Sequence, residues 1–348
     1  MIRFSEYVSP GHPDKIADYI SQYLLDRYIE NDPLTRYAVE VQIKDNIVTL
    51  GGEISSTAHF HEADIITFVR DAVNEIGYTK EYQDRWGKEN TICGDDLQVC
   101  AYISEQSRDI AQGVPQGWGD QGIFFGMFIP NKYTYGMPFD HHMAKCICKN
   151  LFDSQIGGLD IKTQVVYAEK RIKKIIVAIP LLDEALKPQV EEIVRNTTPG
   201  PDKDYELIIN GTGRYVQHSS IADCGTTGRK LTVDFYGGNC TIGGGSPWTK
   251  DATKADLTLN LMARKLAMRY GIKHDCPVYV KLACSIGSNE VDIFATDNNG
   301  VPIQSGKMVL EPDRLRTKLG LDKPIYASMC RWGLFGRFQR DKAWEKFK

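Results

Sequence analysis

Apolar and polar residues alternate without a break along "YAVEVQIKDNIVTL", residues 37–50. Val39, Val41 and Ile43 fall on one side, and Glu40, Gln42 and Lys44 on the other. A period of two predicts a strand with one buried face. Asp45-Asn46 reads as a tight turn, with Ile47 to Leu50 as the returning strand. The period then changes. In "HEADIITFVRDAVNEIG" (61–77) the apolar stripe is Ile66, Val69, Val73 and Ile76, and Gly77 lies just past its end, which predicts a helix.

The same order of elements recurs twice. "TQVVYAEKRIKKIIVAIPL" (163–181) predicts strand, polar turn and strand, and "LDEALKPQVEEIVRN" (182–196) a helix that Pro188 breaks or kinks. "CPVYVKLACSIGSNEVDIFATDNNG" (276–300) predicts a third strand pair, followed by a helix near "EPDRLRTKLG" (311–320). The copies begin roughly 115–125 residues apart, about the size of one small domain. They share pattern but not sequence. Three α+β units follow, each a sheet with one helix-covered face, and pseudo-threefold packing is the expected arrangement. Two segments fall outside the pattern: "SRDIAQGVPQGWGDQG" (107–122) reads as a long loop, and 211–257 is dense in glycine.

Composition narrows the picture a little. The chain has 348 residues, with 42% hydrophobic and 25% charged, and a net charge of −3. That fits a multidomain globular protein and gives no global attraction to nucleic acid or acidic membranes, so neither is expected as a partner. No apolar run reaches the roughly 18 residues of a membrane span. Nine cysteines without a C-x-x-C pair read as thiols of a cytoplasmic protein.

Any anion site must therefore be built locally. In "SPGHPDKIAD" (9–18), Pro13 suits a first helical position and His12 the cap; Ile16, Ile20, Tyr23 and Leu24 continue as an apolar stripe. Lys15 then stands in the first turn, where the helix dipole disfavours a cation unless something negative sits nearby. Helix N-termini bind anions, so His12, Lys15 and free amide groups suggest a phosphate, with Asp14 able to hold a bridging metal. Residues 211–257 add Arg214, Arg229, Lys230, Lys250 and Lys254, interleaved with Asp223, Asp251 and Asp256. Cations for phosphate oxygens and carboxylates for metal are what a metal–polyphosphate site needs. The phosphate-loop and dinucleotide motifs are absent: "GTTGRKL" and "GTGRYV" each miss their glycine spacing. His59, His61 and Glu62 read as helix-start surface residues, and the adjacent His141 and His142 point in different directions on any regular element.

"GHPDKIAD", "GGEISS", "GDQGIFFG", "TGRK", "VDFYGG" and "GGG…KD.TK.D" occur here in one order, from about Phe4 to Arg337. Together they resemble the S-adenosylmethionine synthetase (methionine adenosyltransferase) family. The resemblance implies three similar α/β sandwich domains in pseudo-threefold arrangement. Approximate boundaries are 1–104, a loop at 105–122 that gates the active site, 123–213 and 214–348, interleaved in space. It also implies a homodimer with active sites between subunits, possibly a dimer of dimers. The implied partners are ATP and L-methionine, with two Mg²⁺ per site and K⁺ as cofactors. In the implied reaction the methionine sulfur attacks ATP C5′ and the triphosphate is then hydrolysed to phosphate and diphosphate. A thioether needs no general base, so a cluster of cations and metal-binding carboxylates is the expected chemistry.

Matching motifs carry roles over. The resemblance implies that His12 contacts the phosphate beside the ribose and assists C5′–O cleavage. Lys162, Arg229, Lys230, Lys250 and Lys254 would reach the polyphosphate with Lys15, and Arg229 would lead in its hydrolysis. Asp14 and Asp256 would bind Mg²⁺, and Glu40 K⁺. Glu53, Gln106, Asp120 and Lys254 would hold methionine, with Asp120 stabilising the sulfonium; Asp223 would hold methionine or the adenosine side, and Tyr215 would stack on adenine. The sequence also departs from the family. The loop before "GDQG" is short, only Pro115 to Trp118, so altered gating is expected. A glycine-rich turn becomes His218-Ser219-Ser220-Ile221-Ala222. Pro247 and Trp248 stand beside Lys250, where Trp248 would narrow the pocket or pack between subunits. These departures keep two alternatives in view, a nucleotide- or polyphosphate-binding homologue without synthesis and a stand-alone tripolyphosphatase.

Overall fold

The computed structural model describes residues 2–105, 117–200 and 203–346. Three four-stranded sheets carry the fold, and none is built from one contiguous segment. The predicted hairpin forms β2 (Arg36–Lys44) and β3 (Ile47–Ser55), joined at Asp45 with φ 51°. Val39, Val41 and Ile43 are buried and Glu40, Gln42 and Lys44 exposed, as their alternation requires. β4 (Gln98–Ser104) lies parallel to β3 after helices α2 (Glu62–Ile76) and α3 (Lys80–Trp86), and the two-residue β9 (Gly225–Thr226) pairs with the far edge of β2.

The second sheet has the order β1 (Ile2–Val8), β6 (Lys162–Ala168), β7 (Arg171–Ala178) and β8 (Glu206–Ile209). Its central hairpin is the second predicted copy, and β8 again runs parallel to the strand before it, after a helix. The third sheet joins β5 (Gly122–Phe128) to β10 (Val278–Cys284), β11 (Glu290–Asp297) and β12 (Pro302–Val309). Here the fourth strand follows directly and pairs antiparallel, so the third unit departs from the other two. β1 thus leaves the N-terminal unit and β5 joins the C-terminal one. Sheet pairing over such separations leaves no local trace in the sequence.

Helices cover these sheets. α1 (Pro13–Asn31) and α2 pack over β2 and β3; α4 (Phe139–Ser154) and α5 (Lys187–Thr197) serve β1 and β6–β8; α6 (Ala255–His274) lies on β5 and β10. Three details correct the sequence reading. The buried stripe of α2 runs through Ile65 rather than Ile66, with Val69, Ala72, Val73 and Ile76. Pro188 occupies the first turn of α5 and starts that helix instead of breaking it, because the missing N–H is one a first turn leaves unpaired anyway. α1 is not amphipathic: it is buried on nearly every face, Lys15, Asp18 and Asp26 included. No helix among the described residues is long and apolar enough to cross a membrane.

Candidate active site

The site is assembled on α1's first turn and the edge of β2. Ser9 begins it. Its amide donates to Ile161 O at 2.9 Å, and its hydroxyl accepts from Ile161 N at 2.9 Å, pinning 159–161 beside the turn that leads into α1. β1 ends at Val8 opposite Lys162, so Lys162 opens β6 at the same end as His12. His12 caps α1, its Nδ1 accepting the Asp14 amide at 3.1 Å. That bond assigns the ring proton of the neutral form to Nε2. Burial, with Lys162, Lys230, Lys15 and Arg229 around it, pushes the His12 pKa well below its ordinary value.

Asp14 draws in the glycine-rich segment. Its Oδ1 accepts the Thr226 amide at 2.9 Å, and its Oδ2 accepts Lys230 Nζ at 2.5 Å, with Arg229 Nε 3.8 Å from Oδ1. A Cβ at Gly225 would stand 2.1 Å from Pro13 O, so only glycine lets 225–230 lie this close to the helix. His12, Asp14, Lys162, Arg229 and Lys230 thus converge from three stretches of chain. Lys162 has no carboxylate within ion-pair distance among the described residues.

Lys15 does not join them, which corrects the expectation of a phosphate contact. Its ammonium turns inward to Asp234, at 2.7 and 2.9 Å, and to Asp18 at 3.1 Å, above the Trp248 ring at 4.7 Å. These carboxylates supply the negative partner that a helix-start lysine requires, and no donor is left for a ligand. Trp248 is fully buried, donating its indole N–H to Asp234 Oδ2 at 2.8 Å. It packs within the chain, neither lining a pocket nor facing another subunit.

A second group gathers farther along β2. Lys250 bridges to Ala38, and Ala38 pairs across to Glu53, which pairs with Ser104. These residues share one sheet face, so Lys250 and Glu53 flank a small Ala38 with backbones about 10 Å apart. Lys250 Nζ donates to Asp256 Oδ2 at 2.5 Å, in the first turn of α6. A Cβ at Gly245 would fall 2.1 Å from the Asp256 carboxyl, so that glycine admits the close approach. Lys254 caps α6 and donates to Asp251, whose Oδ2 also accepts the Tyr37 amide at 2.7 Å. Asp120 ends the loop before β5; its carbonyl accepts from Cys284 Sγ at 3.3 Å. Burial, then Asp120 and Asp256, raise the Cys284 thiol to about 11, so both carboxylates act on one point.

Glu40 lies between the groups, taking hydrogen bonds from the hydroxyls of Thr227 and Thr249. The His12 group sits beside Gln42 and the Lys250 group beside Ala38, about 13 Å apart along the strand. No hydrogen bond or ion pair joins them directly among the described residues. Tyr215 and Asp223 border the first group. Tyr215 OH donates to Asp160 O at 3.2 Å, and both residues act electrostatically on the buried Asp160, whose carboxyl burial lifts to about 6. Gln106, Pro115 and Gln116 lie outside the described residues.

Sequence reasoning missed Asp18, Asp160 and Asp234. Each is a lone carboxylate in sequence and gains meaning only from its partners in space. His61 begins α2 with its amide on Asp64 Oδ2 at 2.9 Å, and His141 and His142 are buried in α4.

Three α+β units bring cations and carboxylates together at a helix start, a setting suited to an anionic ligand. Comparison with known proteins gives the family. The S-adenosylmethionine synthetase N-terminal domain matches residues 1–108, and the C-terminal domain matches residues 218–346. The S-adenosylmethionine synthase of Paramagnetospirillum magneticum is 33% identical, over 96% of this chain and 92% of that protein. That of Oleidesulfovibrio alaskensis is 32% identical, over 98% and 94%. The solved structure of an unusual S-adenosylmethionine synthetase from Campylobacter jejuni superposes with a TM-score of 0.90 at 30% identity, covering 100% of this chain and 97% of that one. The chain belongs to the S-adenosylmethionine synthetase family, and its activity is that of a methionine adenosyltransferase, a transferase of a generally metal-dependent family.

Proposed function

We propose that the two groups along β2 divide the labour of adenosyl transfer. The His12 group takes the triphosphate of ATP and the Lys250 group takes methionine and a second metal. The observation carrying this reading is the cap of α1: a neutral His12 whose Nδ1 is spent on Asp14 N, so that Nε2–H is the free donor among Lys162, Arg229 and Lys230. The methionine sulfur forms a bond to C5′ as the C5′–O bond breaks, and the triphosphate carries away the electron pair. Developing charge on the leaving oxygen is met by His12 Nε2–H and by the fixed cations, with no base required. Water then splits the triphosphate, with Arg229, 56% exposed, facing it. Glu53, Asp120, Asp223 and Lys254 hold methionine, with Asp120 near the nascent sulfonium, and Tyr215 lies against adenine.

Asp14 and Asp256 fit Mg²⁺. Each is a single carboxylate already drawing a lysine, and Mg²⁺ typically takes one or two carboxylates with substrate phosphates and water completing its shell. Glu40 with Thr227 and Thr249 offers only oxygen donors, which suits K⁺. When bound, the metals supply charge to the phosphate oxygens. The separation of the two groups supports a homodimer in which each site draws on both subunits. Tyr102, 73% exposed on the same sheet face as Glu53, gives that face an apolar surface to cover. Free thiols at all nine cysteines support a cytoplasmic setting.

The test is mass detection of S-adenosylmethionine from ATP, methionine, Mg²⁺ and K⁺. His12→Ala is expected to slow synthesis about 10²–10³-fold, the effect of losing one transition-state donor. An unchanged rate would remove His12 from the cleavage step.

A further inference from the structure

Along the C-terminal half of α6, the end of α7 (Pro312–Leu319) and the C-terminal segment border a cavity of about 440 Å³. Its floor is apolar. Met262 and Leu266 are buried side chains of α6, and Ile272, half exposed, lies nearly two turns beyond Leu266. Its charged groups are all of one sign: Lys265 and Arg269, one turn apart on α6, Lys318 near the end of α7, and Lys346. No carboxylate lines the cavity, and none of the four cations has an ion-pair partner among the described residues.

The fold holds these charges together. Glu345 is locked to α6 by Arg264, whose Nε and Nη2 donate to its two carboxylate oxygens at 2.8 and 3.0 Å. Both partners are buried, so this pair fixes the C-terminal segment against the helix. Trp344 Nε1 adds a bond to Leu334 O at 2.9 Å, and Lys265 Nζ donates to Ala343 O. Lys346 is thereby delivered to the cavity wall, while its acidic neighbour is spent elsewhere. Partial burial lowers the Lys265 pKa, and Lys318 and Lys346 lower it further. Like charges gathered over an apolar floor repel one another in the empty cavity, and an anion relieves that repulsion.

We infer that this cavity binds a small amphipathic anion, a carboxylate or phosphate head on an apolar body. Its volume is that of a small-molecule site. The head sits among Lys265, Arg269, Lys318 and Lys346, and the body lies on Met262 and Leu266. The cavity is separate from both groups along β2, although the first turn of the same helix carries Asp256.

The test titrates the full-length protein with 8-anilinonaphthalene-1-sulfonate, an anionic head on an aromatic body, and reads its fluorescence. Arg269 and Lys318 are exposed, so Arg269→Glu/Lys318→Glu is expected to fold and to keep wild-type synthesis of S-adenosylmethionine. Its dissociation constant for the probe should rise about tenfold or more, the consequence of placing like charge against the sulfonate. Lys318→Ala alone should give a smaller rise and serves if the double variant does not fold. Displacement by octanoate identifies a carboxylate-headed chain, and displacement by phenyl phosphate an aryl phosphate. A variant titration that superposes on wild type, or no saturable binding to wild type, overturns the inference.

Discussion

Lys15→Met separates two physical roles for one residue. If Lys15 faced the triphosphate, its loss would raise the KM for ATP and leave stability nearly untouched. The structure predicts the opposite. Lys15, Asp18 and Asp234 are all buried, with exposures of 3, 0 and 1%. Methionine keeps the length of the side chain and removes its charge, leaving two carboxylates facing each other. Asp18 keeps only the Gly228 amide at 2.8 Å, and Asp234 keeps the Trp248 indole. Removing one partner from a buried ion pair costs about 3–5 kcal/mol. The lost contact with the Trp248 ring lies within that figure rather than adding to it.

The penalty must also depend on pH. Burial raises Asp18 from 3.8 to about 7 even with Lys15 and the Gly228 amide pulling it down. Without Lys15 the folded-state value rises further. A carboxyl titrating higher in the folded than in the unfolded state binds a proton on folding, so stability falls as pH rises through that window. The deficit of Lys15→Met should therefore be smaller near pH 5.5 and grow as pH rises to 8. Urea unfolding followed by tryptophan fluorescence reads this directly. With a urea slope of about 3 kcal/mol per molar, the midpoint at pH 8 should drop by about 1 M or more. Lys15→Met/Asp234→Asn should recover part of the loss, because a single buried carboxylate remains. A wild-type midpoint at pH 8, accompanied by a raised KM for ATP, would return Lys15 to the ligand and refute the reasoning.

His218→Ala should lose about 2–4 kcal/mol, since His218 Nε2 meets Tyr82 OH at 2.7 Å and its ring meets the edge of Trp86 at 4.8 Å. It should also raise the KM for ATP, because the turn it anchors carries the Ser219 amide to Asp160 at 3.3 Å; an unchanged KM would detach that turn from the site. Asp26→Asn should flatten the dependence of Tm on pH. Asp26 accepts the Tyr326 and Ala327 amides, yet burial lifts it from 3.8 to about 7, so the wild type loses stability as pH rises through that interval; an equal slope in the variant would count against it. Gly225→Ala should lower turnover by about tenfold or more with little change in Tm, because the new Cβ pushes Thr226 off Asp14; wild-type turnover would mean the segment shifts without consequence.

What could be read from the sequence follows physical lines. The β2–β3 hairpin and α2 were legible because each has one wet face, so its period survives in the residues. α1 and α6 hide theirs. Both are enclosed, and α6 buries Asn260 and Arg264 among its apolar residues. The strand exchange between units was invisible because β1 and β6 are far apart in sequence. Among the candidate residues, Asp14 and Lys230 could be picked out because the two glycine-bearing segments that hold them are themselves conspicuous, and the structure pairs their side chains at 2.5 Å. The direction of Lys15 was not. Position in the first turn states that a cation needs a counter-charge, but not which one, and Asp234 lies 219 residues away.

That buried counter-charge also explains how the front of the site keeps its sign. With Lys15 spent behind α1, and with His12 neutral, Lys162, Arg229 and Lys230 gather about Asp14, with Asp160 and Asp223 bordering them. Had Asp18 or Asp234 opened toward the same space, they would have cancelled the field that a triphosphate needs. Trp248 holds Asp234 Oδ2 through its indole N–H, and the Lys15 ammonium stands over its ring. The bulky residue near Lys250 therefore works behind the site, by completing the buried Lys15–Asp234 pair.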